Sequence, residues 1–89
     1  MEILTKEIEE KLPKMMEGDG TAHIKFILPD TKWKWYVCEY DAETKTFYGL
    51  IEGEDKKWGK FTLAELEGLT GPDGVSVVVD EKFNKRKMK

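Results

Sequence analysis

Several residue types are scarce in this sequence of 89 residues, and each scarcity excludes a class of protein. A single cysteine, Cys38, excludes an internal disulfide and a multi-cysteine zinc site, and is typical of a reducing compartment. The longest apolar run, counting glycine, is residues 47–51, whereas a membrane span needs roughly 20 residues. The acidic start lacks the basic and apolar segments of a secretory signal. We therefore expect a cytoplasmic chain that does not enter a membrane.

Patterns for catalysis and metal binding are also missing. His23 is the only histidine, and no second ligand stands at the spacing of a metal site. A catalytic pair of His23 with Cys38 would need a third, orienting group, and none is evident. The glycines form no phosphate-binding motif, and no spacing of carboxylates resembles a calcium loop. We expect no enzyme activity, no cofactor and no metal.

Positive charge is in slight deficit, with 15 basic against 18 acidic side chains and a net charge of −3. This balance argues against a general nucleic-acid coat protein. The charge is unevenly distributed, because residues 39–55 hold six acidic residues against Lys45 alone. Residues 82–89 hold five basic residues and no acidic one, and we interpret them as a flexible tail of a single domain spanning residues 1–89.

The hydrophobic pattern predicts an α+β fold. Leu4, Ile8 and Leu12 line one face of a helix that Thr5 would cap and Pro13 would end. The period then changes to two, which indicates strands. The predicted strands are residues 23–28, 32–40, 45–52, 58–61 and 75–79. We expect a mostly antiparallel sheet of four or five strands, with the N-terminal helix on one face and a short second helix.

The second helix carries a sharp start signal. Thr62 and Glu65 fit a capping box, in which each side chain bonds the backbone amide of the other residue. Phe61 and Leu66 occupy the staple positions on either side of that start. Gly68 is expected in a left-handed conformation at the end, which predicts a helix of about six residues.

The aromatic strand at residues 32–40 has two interpretations. Alternation places Trp33, Trp35, Val37 and Glu39 on one side and Lys32, Lys34, Tyr36, Cys38 and Tyr40 on the other. In the first interpretation the rings build the core, because a small domain has few other large side chains. In the second, lysines bind phosphates while rings stack on bases, with Lys25, Lys32, Trp33 and Lys34 as the binding set. Trp58, beside Gly59 in a short edge strand, is the tryptophan that we most expect to be partly exposed.

The order of these segments resembles a small bacterial family known only as a domain of unknown function. The resemblance rests on LTKEI at 4–8, IKF at 24–26, PDTKWKWY at 29–36, EYD at 39–41, FYGLI at 47–51, GKFTLAELE at 59–67 and GPDG at 71–74. Members of that family look like accessory proteins of plasmids, conjugative elements and phages. The resemblance brings no catalytic residues with it.

The resemblance implies a non-enzymatic protein that binds a host protein and inhibits host defence in the manner of an anti-CRISPR protein, with a CRISPR effector nuclease as the partner. An acidic surface would compete with phosphate for a basic groove of that partner. The candidate partner-binding residues are Glu39, Asp41, Glu43, Glu52, Glu54, Asp55 and Trp58. The alternatives are a nucleic-acid-binding module and a structural or maintenance protein of the element. Either a monomer or a homodimer is compatible with an unpaired edge strand.

Overall fold

The computed structural model of the protein describes residues 6–80 and 82–88. In chain order the elements are α1 (Lys6–Lys11), β1 (Thr21–Ala22), β2 (Ile24–Ile27), β3 (Lys34–Asp41), β4 (Thr46–Glu52), β5 (Lys56–Thr62), α2 (Leu63–Glu67), a 3₁₀ helix (Pro72–Gly74), β6 (Val78–Val79) and β7 (Arg86–Lys87). The helix α1 ends two residues before Pro13, as the proline predicts. The expected helical Leu4 and the expected cap Thr5 lie outside the described residues.

The strands of the described part form one antiparallel sheet of five, in the order β5-β4-β3-β2-β6, and a separate ribbon of β1 and β7. The strands from β2 to β5 are neighbours in both sequence and space, and β6 returns beside β2 after α2. This arrangement confirms the α+β class with an N-terminal helix and a short second helix. The ribbon of β1 and β7 is not among the predicted strands, because segments of two residues have too short a pattern to be recognised.

One side of the sheet, called here the first face, carries the main core. Eleven side chains are buried there: Leu12, Ile24, Phe26, Leu28, Trp35, Val37, Tyr40, Phe47, Phe61, Leu66 and Val77. Phe47 is fully buried at the centre, with its ring centroid 5.4 Å from that of Phe26, 4.9 Å from that of Tyr40 and 5.4 Å from that of Phe61. Ile8 of α1 also packs against this cluster. On this face, the aromatic rings build the core, as the first interpretation of the aromatic strand predicts.

A β-bulge in β3 changes which residues face the core. The pairing with β4 shifts register between Val37 and Glu39, so that Cys38 is the extra residue. Because side chains alternate, one extra residue reverses the faces of everything that follows. Tyr40 therefore joins the main core and Glu39 lies on the other side. The sequence-based alternation is right from Trp33 to Cys38 and wrong for Glu39 and Tyr40.

The opposite side of the sheet, the second face, buries much less. Its buried cluster holds Ala22, Tyr36, Cys38 and Leu50, with Trp58, Phe83 and Met88 packed against it. The ring of Phe83 meets that of Tyr36 edge to face, with 5.8 Å between the centroids. The backbone amide of Met88 donates to the carbonyl of Gly20 at 2.8 Å, beside the pairing of β1 with β7.

The basic segment expected as a tail thus lies against the second face in its described residues, 82–88. Lys89, the last residue of the expected tail, lies outside the described part. The mobility of this segment in solution stays a prediction.

The start of α2 confirms the half of the predicted capping box that Thr62 supplies. The hydroxyl of Thr62 accepts a hydrogen bond from the backbone amide of Glu65 at 3.1 Å. Both staple residues, Phe61 and Leu66, are buried in the main core. The prediction of a left-handed residue at the end of α2 is wrong, because Gly68 has φ −84° and is in the right-handed region. Its backbone amide donates hydrogen bonds to carbonyl oxygens of the preceding turn. Glycines that follow a helix often have positive φ, and the prediction relied on this preference. The last turn of a short helix can also end with right-handed hydrogen bonding, and then no positive φ is needed.

Candidate functional site

The predicted acidic residues are divided between two ends of the sheet. Asp41 ends β3 and Glu43 lies in the turn that follows it, whereas Glu54 and Asp55 belong to the turn between β4 and β5. These turns stand at opposite ends of β4, whose seven residues span about 20 Å at the usual rise per residue. Residues 39–55 therefore do not form the single acidic surface that their sequence suggests.

At one end, carboxylates from two parts of the chain line an open groove, called here the acidic groove. It lies between α1, the loop at 12–18 and the β3–β4 turn, and its volume is about 690 Å³. Its lining is Glu9, Glu10, Leu12, Lys14, Met15, Glu17, Tyr40, Asp41, Ala42 and Glu43. Five carboxylates therefore face one lysine across an apolar floor. This charge balance gives the groove an affinity for cationic groups.

Backbone hydrogen bonds hold the walls of the acidic groove in place. The amide of Tyr40 donates to the carbonyl of Pro13 at 2.9 Å, which fixes the loop at 12–18 to the end of β3. The amide of Met16 donates to Oε1 of Glu39 at 2.9 Å. Glu39 therefore positions this loop, while its neighbour in the candidate list, Asp41, accepts from the amide of Glu43 at 3.0 Å and shapes the turn.

Tyr40 connects the floor of the groove to its acidic rim. Its hydroxyl donates to Oε1 of Glu9 at 3.2 Å, and Nζ of Lys45 lies 3.8 Å from the same oxygen. Burial, followed by the negative charge of Glu9, raises the pKa of Tyr40 to about 12. The phenol therefore stays protonated, and can donate to the carboxylate, up to a higher pH than a free phenol would.

At the other end of the sheet the acidic residues are matched by lysines. Nζ of Lys32 lies 2.9 Å from Oε1 of Glu54, in an exposed ion pair. Glu52 stands between Lys34 and Lys56 in direct cross-strand register. The exposed pair of Lys32 with Glu54 stabilises the fold little, but the lysines at this end offset the negative charge that a basic partner would recognise. This end therefore fits a basic partner less well than the acidic groove does.

The candidate nucleic-acid residues do not share one surface either. Lys25 and Lys34 lie on the second face, whereas Trp33 stacks on Trp35 at the edge of the first face, with 6.1 Å between centroids. Nζ of Lys25 is 3.6 Å from Oδ2 of Asp80 and 5.4 Å from the ring centroid of Tyr36. Lys32 is paired with Glu54. The four candidate nucleic-acid residues therefore do not form one binding surface.

Trp58 is partly exposed, as expected, and Trp33 is exposed as well. Trp33 is 37% exposed, whereas Trp58 is half-buried and stacks on Tyr48 with 6.0 Å between centroids. Trp58 lies on an edge strand that pairs with β4 along its whole length, and Leu50 and Tyr48 flank its ring. Trp33 precedes its strand and covers Gly53, where a Cβ atom would come within 2.5 Å of the indole.

His23 lies directly before β2, and its backbone amide donates to the carbonyl of Val37, the neighbour of Cys38, at 2.9 Å. Burial, followed by the charge of Lys85, lowers the pKa of His23. The thiol of Cys38 is buried, at 1% exposure. Across residues 6–80 and 82–88 no group of three or more histidine, cysteine, aspartate or glutamate side chains is placed to hold a metal ion. In the same residues, no helix has the length and apolar character required to cross a membrane.

Comparison with known families identifies the chain over nearly its full length. The model of a family described as a protein of unknown function (DUF2958) matches residues 2–88. The chain belongs to this family. No curated protein and no solved structure matches the chain. This membership confirms the expectation that the chain belongs to a family of unknown function.

The sequence did not indicate three of the five carboxylates of the acidic groove. Glu9, Glu10 and Glu17 lie near the N-terminus and meet the β3–β4 turn only because the loop at 12–18 folds back onto β3. The available signal was the acidic character of both segments. The contact between Pro13 and Tyr40, which brings them together, has no local pattern in the sequence.

Proposed function

We propose that this member of the DUF2958 family is a non-enzymatic, protein-binding accessory protein of a mobile genetic element such as a plasmid or phage. It acts in the cytoplasm, as a monomer or homodimer, and inhibits host defence in the manner of an anti-CRISPR protein. The observation that supports the proposal is the acidic groove, where five carboxylates and one lysine line an open cavity with an apolar floor.

The chemistry of the acidic groove fits a basic protein surface. Carboxylates on its rim would attract lysine and arginine side chains and raise the rate of association. The floor, formed by Leu12, Met15 and Tyr40, would accept the apolar stems of those side chains. A nuclease offers such a surface in the channel that binds the nucleic-acid backbone, so a bound inhibitor would exclude the phosphates from it.

A pair of matched double variants tests the groove. The groove variant carries Glu17→Lys and Glu43→Lys, and the control variant carries Glu54→Lys and Asp55→Lys at the opposite end of the sheet. All four residues are exposed, and both variants change the net charge by the same amount. Long-range attraction to the partner therefore changes equally in the two variants, and any difference between them reports the local contact.

The measurement is DNA cleavage by guide-loaded CRISPR effector nucleases in the presence of increasing protein. We expect wild-type protein to inhibit at least one effector. The groove variant should lose about tenfold or more in inhibitory potency, while the control variant stays within about threefold. Equal losses in the two variants would contradict a role for the groove. Full cleavage by every effector at saturating wild-type protein would contradict the inhibitor function and favour a maintenance role.

A further inference from the structure

The second face of the sheet carries a surface separate from the acidic groove. On adjacent strands, β3 contributes Lys34, β4 contributes Tyr48, and β5 contributes Lys56, Trp58 and Lys60. These five residues are called here the lysine-aromatic strip. Cross-strand pairing places Tyr48 beside Lys60, and the rings of Tyr48 and Trp58 stack at 6.0 Å. The strip thus combines three cations with a pair of half-buried rings.

None of the strip lysines is held in an ion pair in the described part of the chain, although Lys34 and Lys56 flank Glu52 across the strands. Lys56 and Lys60 are exposed and Lys34 is half-buried. Within the described part of the chain, none of the three has a carboxylate oxygen inside 4.0 Å, unlike Lys25 on the same face, which pairs with Asp80. A lysine without an ion pair loses no internal partner when it binds an external anion.

Positive charge continues from the strip into the C-terminal segment. Tyr36, Leu50 and Trp58 form one cross-strand row, and the guanidinium of Arg86 lies 5.6 Å from the ring centroid of Tyr36 at the end of that row. Residues 82–88 add four basic side chains and no acidic one. Two carboxylates, Glu39 and Glu52, stand among the strip residues, so the surface as a whole is cationic but not strongly so.

A cleft adjoins the aromatic pair at one end of the strip. It has a volume of about 400 Å³ and is lined by Met15, Met16, Glu39, Tyr48 and Lys60. Methionine side chains give such a cleft an apolar and adaptable wall. A flat ring, with a charged group beside it, would fit between these methionines and the phenol of Tyr48.

We propose that the lysine-aromatic strip binds single-stranded nucleic acid. The strip lysines contact phosphates, the rings of Tyr48 and Trp58 stack on bases, and the cleft receives one base. Lys56 and Lys60 are four residues apart on one side of β5, which is about 13 Å along the strand, and Lys34 and Lys56 are two strands apart, about 10 Å. A strand of nucleic acid crossing the sheet would therefore meet a cation on either side of the rings.

The single-stranded form follows from the rings, because bases in a duplex are stacked on each other and do not reach a protein ring. The proposed site differs from the one expected from sequence, since it excludes Lys25, Lys32 and Trp33. It also stands independently of the proposed inhibitor function, because it shares no charged residue with the acidic groove.

Fluorescence anisotropy with labelled 12-nucleotide strands tests the proposal on the full-length protein. The probes are single-stranded DNA, single-stranded RNA and a DNA duplex of the same length, each titrated over a salt series. We expect a dissociation constant of roughly 1–100 μM for single strands and a logarithmic salt dependence with a slope of about −2 from three lysine contacts. The duplex should bind at least about fivefold more weakly, because it offers no bases for stacking. The two single-stranded probes show whether the sugar contributes.

Matched double variants locate the site. Lys56→Gln with Lys60→Gln removes two strip lysines, whereas Lys57→Gln with Lys11→Gln removes two exposed lysines that lie elsewhere. Lys57 is on β5 but pairs with Ile51 of the first face, which makes it a close control. The strip variant should weaken binding about tenfold and reduce the salt slope by about 1.4, and the control variant should match wild type.

Single variants of the rings test stacking. Trp58→Leu or Tyr48→Leu should each weaken single-strand binding roughly five- to a hundredfold, and Trp58→Phe should restore most of the affinity. A thermal melt shows whether each variant is folded. If one of the two leucine variants does not fold, the variant of the other ring is used to test stacking.

Three results would overturn the proposal: no binding of either single strand at low salt, equal losses in the two lysine variants, or a poly-glutamate peptide competing as well as a single strand. The last result would indicate an acidic protein as the ligand. The groove variant with Glu17→Lys and Glu43→Lys should keep its strand binding, so that failure of the inhibitor proposal is distinguishable from failure of this one.

Discussion

The two faces of the sheet are built from the same strands but have different compositions. The first face buries eleven side chains beneath α1 and α2, with Phe47 at the centre. The second face buries four and is covered in part by the C-terminal segment, so lysines and two half-buried rings remain at its surface. The difference teaches that large aromatic residues in a small domain need not all serve the core. The first face carries most of the buried core, and the second leaves lysines and rings at its surface.

The largest expected effect tests whether the two faces differ in their contribution to stability. Phe47→Ala removes the ring that contacts three other rings on the first face, and should lower the free energy of unfolding by about 4 kcal/mol. Leu50→Ala on the second face should cost only about 2 kcal/mol, because that residue lies in a smaller cluster. Urea unfolding followed by circular dichroism measures both. Equal losses would mean that the second face supports the fold as much as the first.

A pair of glycines on adjacent strands sharpens the comparison. A Cβ atom on Gly49 would lie 1.8 Å from the carbonyl oxygen of Tyr36, next to the bulge in β3, whereas one on Gly59 would meet nothing closer than Ile51 at 4.0 Å. Gly49→Ala should therefore destabilise the protein by about 2–3 kcal/mol. Gly59→Ala should be neutral or stabilise it by up to about 1 kcal/mol. Similar melting temperatures for the two variants would contradict the close approach at the bulge.

The smallest expected effect concerns Tyr40, where the first face meets the acidic groove. Its pKa of about 12 in the folded protein lies above the value of 10.0 for a free phenol. The unfolded chain therefore releases this proton at lower pH than the folded one, and stability falls as pH rises from about 10 to 12. Tyr40→Phe removes this contribution, so its stability should fall less steeply, by at most about 1.4 kcal/mol per pH unit.

Chemical unfolding at a series of pH values from 9 to 12 measures the two slopes. The same variant at neutral pH should cost about 1 kcal/mol, from the lost hydrogen bond to Glu9. Parallel pH profiles for Tyr40→Phe and wild type would contradict the raised pKa, whatever the cost at neutral pH.

Local signals in the sequence were enough for the helices and most strands. The capping box of Thr62 and Glu65 predicted the start of α2, and Pro13 predicted the end of α1, because both act through neighbouring backbone atoms. The bulge at Cys38 was not predictable, since an extra residue is defined only against the register of a partner strand. It reversed the expected faces of Glu39 and Tyr40.

The candidate surfaces were less predictable than the fold. The acidic groove depends on the contact of Pro13 with Tyr40, which joins segments 27 residues apart. The lysine-aromatic strip depends on the register of β5 against β4, which sets Trp58 and Lys60 on the same side as Tyr48. Residue types indicated an acidic surface and a surface of lysines and aromatic rings, but the grouping of the residues depends on the pairing of distant segments.

The indole signals of the three tryptophans test the division between the faces most directly. Trp35 is buried in the main core, Trp33 lies at the edge of the first face and Trp58 lies on the second face. Nitrogen-15 NMR of the full chain, titrated with a 12-nucleotide single strand, follows all three in one experiment. We predict that the indole signal of Trp58 shifts with saturation while that of Trp35 stays in place. An unmoved Trp58, or a Trp35 signal that shifts as far, would contradict the account.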